Sequence, residues 1–178
     1  PIWTQAMATQ FGFVFEECNP AGATRFQALM RASAGARVDD VQAQIDDQIA
    51  RGGFAARTLV TVLVGANDIL ELYAGYPQQT EDQLIAEARA RGERLARQVN
   101  RLIELGPRVI VATVPDVGLS PYALAQKAAF TDTDRAALIS RLVAAFNGRV
   151  RTTILNDGRY VGLVLGDDTI REFVAGIT

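Results

Sequence analysis

Two short segments hold residue types that can stabilise a developing negative charge without changing their own. Gly65-Ala66-Asn67-Asp68 follows directly on the apolar run Thr58–Val64, and Ser33-Ala34-Gly35-Ala36-Arg37 precedes it in the chain. Asn67 offers a side-chain amide with two N–H donors. Gly35 and Gly65 allow backbone to approach a ligand closely, because no Cβ intervenes. Donors aimed in advance are what acyl transfer needs where its tetrahedral intermediate carries an oxyanion. A plainer account competes, since Asn and Asp after a strand also form Asx turns and cap the next helix. Two small-residue loops suited to the same chemistry weigh against that account.

The rest of the inventory excludes much else. The chain has no histidine, so neither a Ser-His-Asp nor a His-metal mechanism can be completed by it alone. Ser33 and Ser120 have no base available and read as turn formers. Cys18, the single cysteine, has no cationic imidazole to activate it and reads as an inert thiol. Asp39-Asp40 and Asp167-Asp168 fall at expected helix starts, where carboxylates favour the helix dipole, so no metal and no cofactor is expected. Lys and Arg total 18 against 20 Asp and Glu, a net −2 with the signs interspersed, which excludes a nucleic-acid footprint. No apolar run is long enough to span a bilayer and no charged-then-apolar leader opens the sequence, so stable membrane insertion is not expected. At 178 residues and 49% hydrophobic content, one domain over 1–178 is expected. Pro1 in place of methionine predicts a processed or incomplete chain.

The elements that must position the two loops follow from periodicity. Ile2, Met7 and Phe11 have a loose helical spacing that Gly12 stops, and Glu17–Ala23 is turn chemistry. Val38, Val41, Ile45 and Ile49 predict an amphipathic helix over 39–51 ended by Gly52-Gly53. Leu59–Val64 is apolar on both parities, the pattern of a parallel strand buried on both faces. Thr80-Glu81-Asp82-Gln83 is a capping box that opens a long helix, with Gly106-Pro107 as its stop. Along that helix Arg89, Arg91, Arg94 and Arg97 alternate with Glu87 and Glu93 and read as a solvated face. Arg108–Val114 repeats the buried-strand pattern, and Pro115 ends it. A second capping signal, Thr131 with Asp134, opens a helix running to Asn156-Asp157-Gly158; a strand over 160–165 and a short helix over 168–174 follow. Strands separated by such helices require crossover connections, hence an α/β fold with a parallel sheet. Ligands in such sheets meet the loops at the strands' carboxyl ends, where Gly65–Asp68 and Pro115–Gly118 both fall.

In this order the segments resemble the SGNH hydrolases, also called GDSL esterases and lipases. Ser33-Ala34-Gly35-Ala36-Arg37 with Val41-Gln42-Ala43-Gln44-Ile45 looks like the family's second block and its helix. Gly65-Ala66-Asn67-Asp68 matches the Gly-x-Asn-Asp third block. Val114-Pro115-Asp116-Val117-Gly118 with Pro121 resembles the Pro-Asp-x-Gly-x-x-Pro turn of larger members, and Ala145-Phe146-Asn147 their following helix. The resemblance implies a three-layer α/β/α, flavodoxin-like fold, incomplete in this chain. It implies an oxyanion hole from the Gly35 N–H and the Asn67 amide, with Gly65 and Pro115 on the substrate side and Asp68 bracing the loop. The reaction implied is metal-free, cofactor-free ester hydrolysis through a serine acyl-enzyme, on a small-molecule ester or lipid.

Two blocks that break and make bonds are expected outside this sequence: Gly-Asp-Ser ahead of Pro1 and Asp-x-x-His after Thr178. The chain then reads as the middle of a longer enzyme, truncated at both ends and inactive alone. The nucleophile strand would lie between the strand leading to Gly35 and the strand leading to Gly65, supplied by the rest of the chain or by a partner segment. Relatives with the larger pattern are often exported, which favours a secreted, periplasmic or outer-membrane-associated location. The alternatives are a noncatalytic relative and a doubly wound small-molecule-binding or interaction domain. The latter lacks the Gly-x-Gly-x-x-Gly fingerprint and a phosphate-binding lysine loop.

Overall fold

β-Branched apolar runs build a parallel sheet, and striped helices cover one of its faces. The computed structural model describes residues 2–19, 21–155 and 158–176. Pro20 of the expected Glu17–Ala23 turn, and Asn156 and Asp157 of the expected helix stop, lie outside the described residues. The residues fall into two compact units, Pro1–Ala34 and Gly35–Thr178.

In the first unit, helix α1 (Trp3–Gln10) ends as its spacing predicts, and Gly12 follows with φ +70°. Asn19 closes the next turn, donating to the Ala23 carbonyl and accepting from its N–H, each at 2.8 Å. Phe15 makes isolated bridges with Cys18 and Ala28. The strand expected to lead to Gly35 does not form, because residues 29–33 find no ladder to join and a lone extended segment gains no backbone pairing.

In the second unit the described elements run α2 (Val38–Ala50), β1 (Leu59–Val62), α3 (Ala66–Ala74), α4 (Glu81–Glu104), β2 (Arg108–Ala112), a 3-10 turn (Val117–Leu119), α5 (Pro121–Ala129), α6 (Arg135–Thr153), β3 (Val161–Val164) and α7 (Gly166–Val174). The sheet order is β1-β2-β3, all parallel, with Val60 opposite Val109 opposite Val161, and Val62 opposite Val111 opposite Leu163. Those six side chains share one face and join the core with Val38, Val41 and Ile45 of α2, Ile69 and Leu72 of α3, the Leu84–Leu102 stripe of α4, and Leu138–Val150 of α6. The α/β class with a parallel sheet therefore holds. The expectation that β1 is buried on both faces is corrected: its Leu59 is 46% exposed, and on the same face of the sheet neither Leu59 nor Ile110 and Ala112 of β2 nor Val164 of β3, 49% exposed, joins the core. The described helices of this unit pack on the other parity, and β1 is an edge strand.

Local chemistry sets the helix ends. Thr80 and Gln83 cap α4 reciprocally, the Gln83 N–H donating to Thr80 Oγ1 at 3.3 Å and the Thr80 N–H to Gln83 Oε1 at 2.9 Å. The start of α6 is corrected from Thr131 to Asp134, whose carboxylate accepts the Ala137 N–H at 3.0 Å. Asp134 captures the helix start because Arg135 is locked in place, its guanidinium bidentate with Asp132 at 2.9 and 2.7 Å and 4.5 Å from the Tyr76 and Phe130 ring centres. No described helix is long and apolar enough to cross a membrane.

Candidate active site

Gly65 decides how the chain leaves β1. It has φ +123°, outside the range side-chain-bearing residues adopt, and it is the N-cap of α3. A Cβ there would lie 2.6 Å from Val114 Cγ2 and 2.7 Å from Phe146 Cζ, so only glycine lets the end of β1 close onto β2 and α6. Ala66, Asn67 and Asp68 consequently form the first turn of α3, which the sequence expectation of a loop had missed.

Asn67 does not spend its amide on its own helix. Its Nδ2 donates to the Ala36 carbonyl at 2.9 Å, across from α3 to the loop before α2. Asp68, 2% exposed, accepts the Val38 N–H through Oδ2 at 3.1 Å, and Glu71 accepts from the Arg37 guanidinium. Three residues on one side of α3 thus hold Ala36, Arg37 and Val38 in turn. Gly35 begins this loop at φ +78° with open space where a Cβ would be. Among the described residues its N–H has no protein acceptor. Asp40 closes the loop by accepting the Arg37 N–H at 2.8 Å.

Gly35, Gly65 and Asn67 are therefore gathered at the carboxyl end of β1. Pro115 stands at the next strand end, joined to Gly65 through Val114. Val114 is itself clamped by Asn147, whose Nδ2 donates to its carbonyl at 2.8 Å and whose Oδ1 accepts its N–H at 3.0 Å. Asp116, in the turn after Pro115, accepts the Gly118 N–H at 3.1 Å, the Ser140 hydroxyl at 2.8 Å and Arg171 Nε at 3.2 Å. Gly118 is required there, since a Cβ would fall 2.0 Å from Ser140 Oγ. Ser120, expected to be a turn former, caps α5 by accepting the Ala123 N–H at 3.2 Å.

The two carboxylates beneath the loop are shifted in opposite directions. Burial pushes the Asp68 carboxyl up, while the Val38 N–H and Arg91 pull it back without cancelling the rise. Arg91 and Arg37 hold Glu71 below the usual carboxylate range. Arg91 also corrects the reading of α4 as a solvated arginine face: its side chain is 16% exposed, against 65% for Arg97. The signal was present, since position 91 lies seven residues after Leu84 on the buried stripe of α4. Asp167 and Asp168 are engaged by Arg151, each at 2.8 Å. Among the described residues no group of three or more His, Cys, Asp or Glu side chains could hold a metal ion.

No curated protein and no solved structure matches the chain. The family described as GDSL-like Lipase/Acylhydrolase matches over residues 1–165, almost the whole length. The chain belongs to the GDSL-like lipase/acylhydrolase family, a family of hydrolases.

Proposed function

We propose that the Gly35 N–H and the Asn67 amide are the oxyanion donors of a carboxylic ester hydrolase that acts by a serine nucleophile. The observation that carries this reading is the hydrogen bond from Asn67 Nδ2 to the Ala36 carbonyl, one residue from the Gly35 N–H, which has no acceptor among the described residues. An amide bonded by one hydrogen keeps a second for a ligand. As the ester carbonyl becomes tetrahedral, both donors meet the new oxyanion, and their prior fixation removes the cost of reorganising at that moment. The substrate is a small-molecule ester or lipid that enters at the β1 and β2 carboxyl ends, beside Gly65 and Pro115.

The nucleophilic serine and the histidine base come from outside these 178 residues, from a longer chain or a partner segment that pairs with β1, and the chain alone is inactive. The absence of any histidine in the sequence supports this. Hydrolysis of p-nitrophenyl esters by the protein carrying both blocks is the test. Asn67→Ala should lower kcat about a hundredfold or more with unchanged folding. Turnover equal to that of the unaltered protein rejects the role of Asn67, and turnover by the 178-residue chain alone rejects the external nucleophile.

A further inference from the structure

Asn67 and Gly35 can act together only if the loop before α2 keeps its place against α3, and the residues that hold it there form a chain ending on α4. Asp68 accepts the Val38 N–H through one carboxylate oxygen and, through the other, a hydrogen bond from Arg91 Nη1 at 3.2 Å. Glu71 accepts from Arg37 on the loop side and from the same Arg91 Nη1 on the α4 side. Arg91 Nε is occupied by Glu87 at 3.1 Å, four residues earlier on α4. Two of the three α3 residues that hold the loop therefore share one guanidinium.

We infer that Arg91 is the positioning residue of this site: its guanidinium fixes Asp68 and Glu71, and through them the Gly35–Val38 loop against Asn67. A carboxylate 2% exposed cannot remain ionised in the interior without a partner. An ionised Asp68 is the stronger acceptor for the Val38 N–H. The arrangement needs arginine in particular. A planar fork donates in fixed directions to Glu87 on one side and to Asp68 and Glu71 on the other, whereas an ammonium on a flexible stem cannot hold all three. Other charges around Asp68 are Glu71 on its own helix, Arg37 and Asp39 at the start of α2, and Glu87 beside Arg91. Asp39 opposes the ionised form, and Arg91 is the cation in direct contact with it.

The catalytic arm of the test rests on the oxyanion reading above, and the spectroscopic arm does not. On the folded chain, Arg91→Gln should speed amide exchange of Val38 by about tenfold or more, by freeing the contact that closes it. The same change should move the NMR titration of the Asp68 carboxyl to higher pH, because the partner that pulls it down is gone. Arg91→Lys should restore part of the titration and little of the exchange protection. Arg89→Gln, exposed on the same helix, is the control for charge loss alone. In the complete hydrolase Arg91→Gln should lower kcat about tenfold with little change in KM, the mark of a displaced donor rather than a lost substrate contact.

A folded Arg91→Gln protein whose Val38 exchange and Asp68 titration match those of Arg89→Gln overturns the inference. If Arg91→Gln does not fold, Arg91→Lys carries the decision, and Val38 exchange equal to the unaltered chain overturns it. Loss of Val38 protection together with an inert Asn67→Ala substitution would leave the positioning role standing and remove only the oxyanion reading.

Discussion

Gly35 and Gly65 flank the same candidate site, yet different physics keeps each a glycine. At Gly35 the surroundings are open and only φ +78° disfavours a side chain, while at Gly65 φ +123° is combined with Val114 and Phe146 standing where a Cβ would go. Gly35→Ala should therefore cost about 1 kcal/mol in urea unfolding, and Gly65→Ala about 3 kcal/mol or more, because Phe146 is fully buried and cannot withdraw without leaving a void. Equal losses at the two positions would show that Phe146 yields and that packing does not select the glycine. The Gly65-Ala66-Asn67-Asp68 segment was legible in the sequence because its residues are contiguous and their chemistry is local. The destination of the Asn67 amide was not, since Ala36 is 31 positions away and no local pattern encodes that approach. The place of Arg91 on the buried stripe of α4 is legible, but two of the carboxylates that pair with it, Asp68 and Glu71, come from another helix.

At the scale of elements, the long periodic helices and the strand cores were readable, because burial stripes repeat over many residues and the Thr80 cap is a local motif. The short α3 and α5 were not, although Ser120-Pro121 has the form of a cap followed by a proline in the first turn. What periodicity cannot show is how one element ends against another, and Asn147 illustrates the point. β2 leaves the ladder at Ala112, Thr113 still donates to the Val164 carbonyl at 2.9 Å, and Val114 has no strand partner among the described residues. Asn147 on α6 serves both backbone groups of Val114 in the place of a strand. Asn147→Ala should leave a buried N–H and a buried carbonyl unpaired and lower stability by about 2 to 4 kcal/mol. Urea denaturation measures the loss, and a value under about 1 kcal/mol would mean that water replaces the amide at little cost.

At the scale of the molecule, the decisive feature is a sheet that the described helices of its own unit cover on one side. Leu59 and Val164 stand about half exposed on the other side with Ile110 and Ala112 between them, and the outer edge of β1 has no ladder partner among the described residues. Apolar strands with a free edge and an open face associate with whatever apolar surface or strand they meet. This is the surface on which the proposed external segment would pack, and it has a consequence that can be measured without any catalytic assay. The 178-residue chain should bind an apolar fluorescent dye and self-associate with rising concentration in sedimentation. Replacing Leu59 and Val164 together by lysine should suppress both behaviours, because charge on the open face and edge opposes stacking and strand addition. The urea midpoint should change little, since neither side chain belongs to the core that α2, α3, α4 and α6 form with the sheet. A chain that stays monomeric and dye-free without those lysines would mean that the face is already satisfied, and the need for a further segment against β1 would go with it.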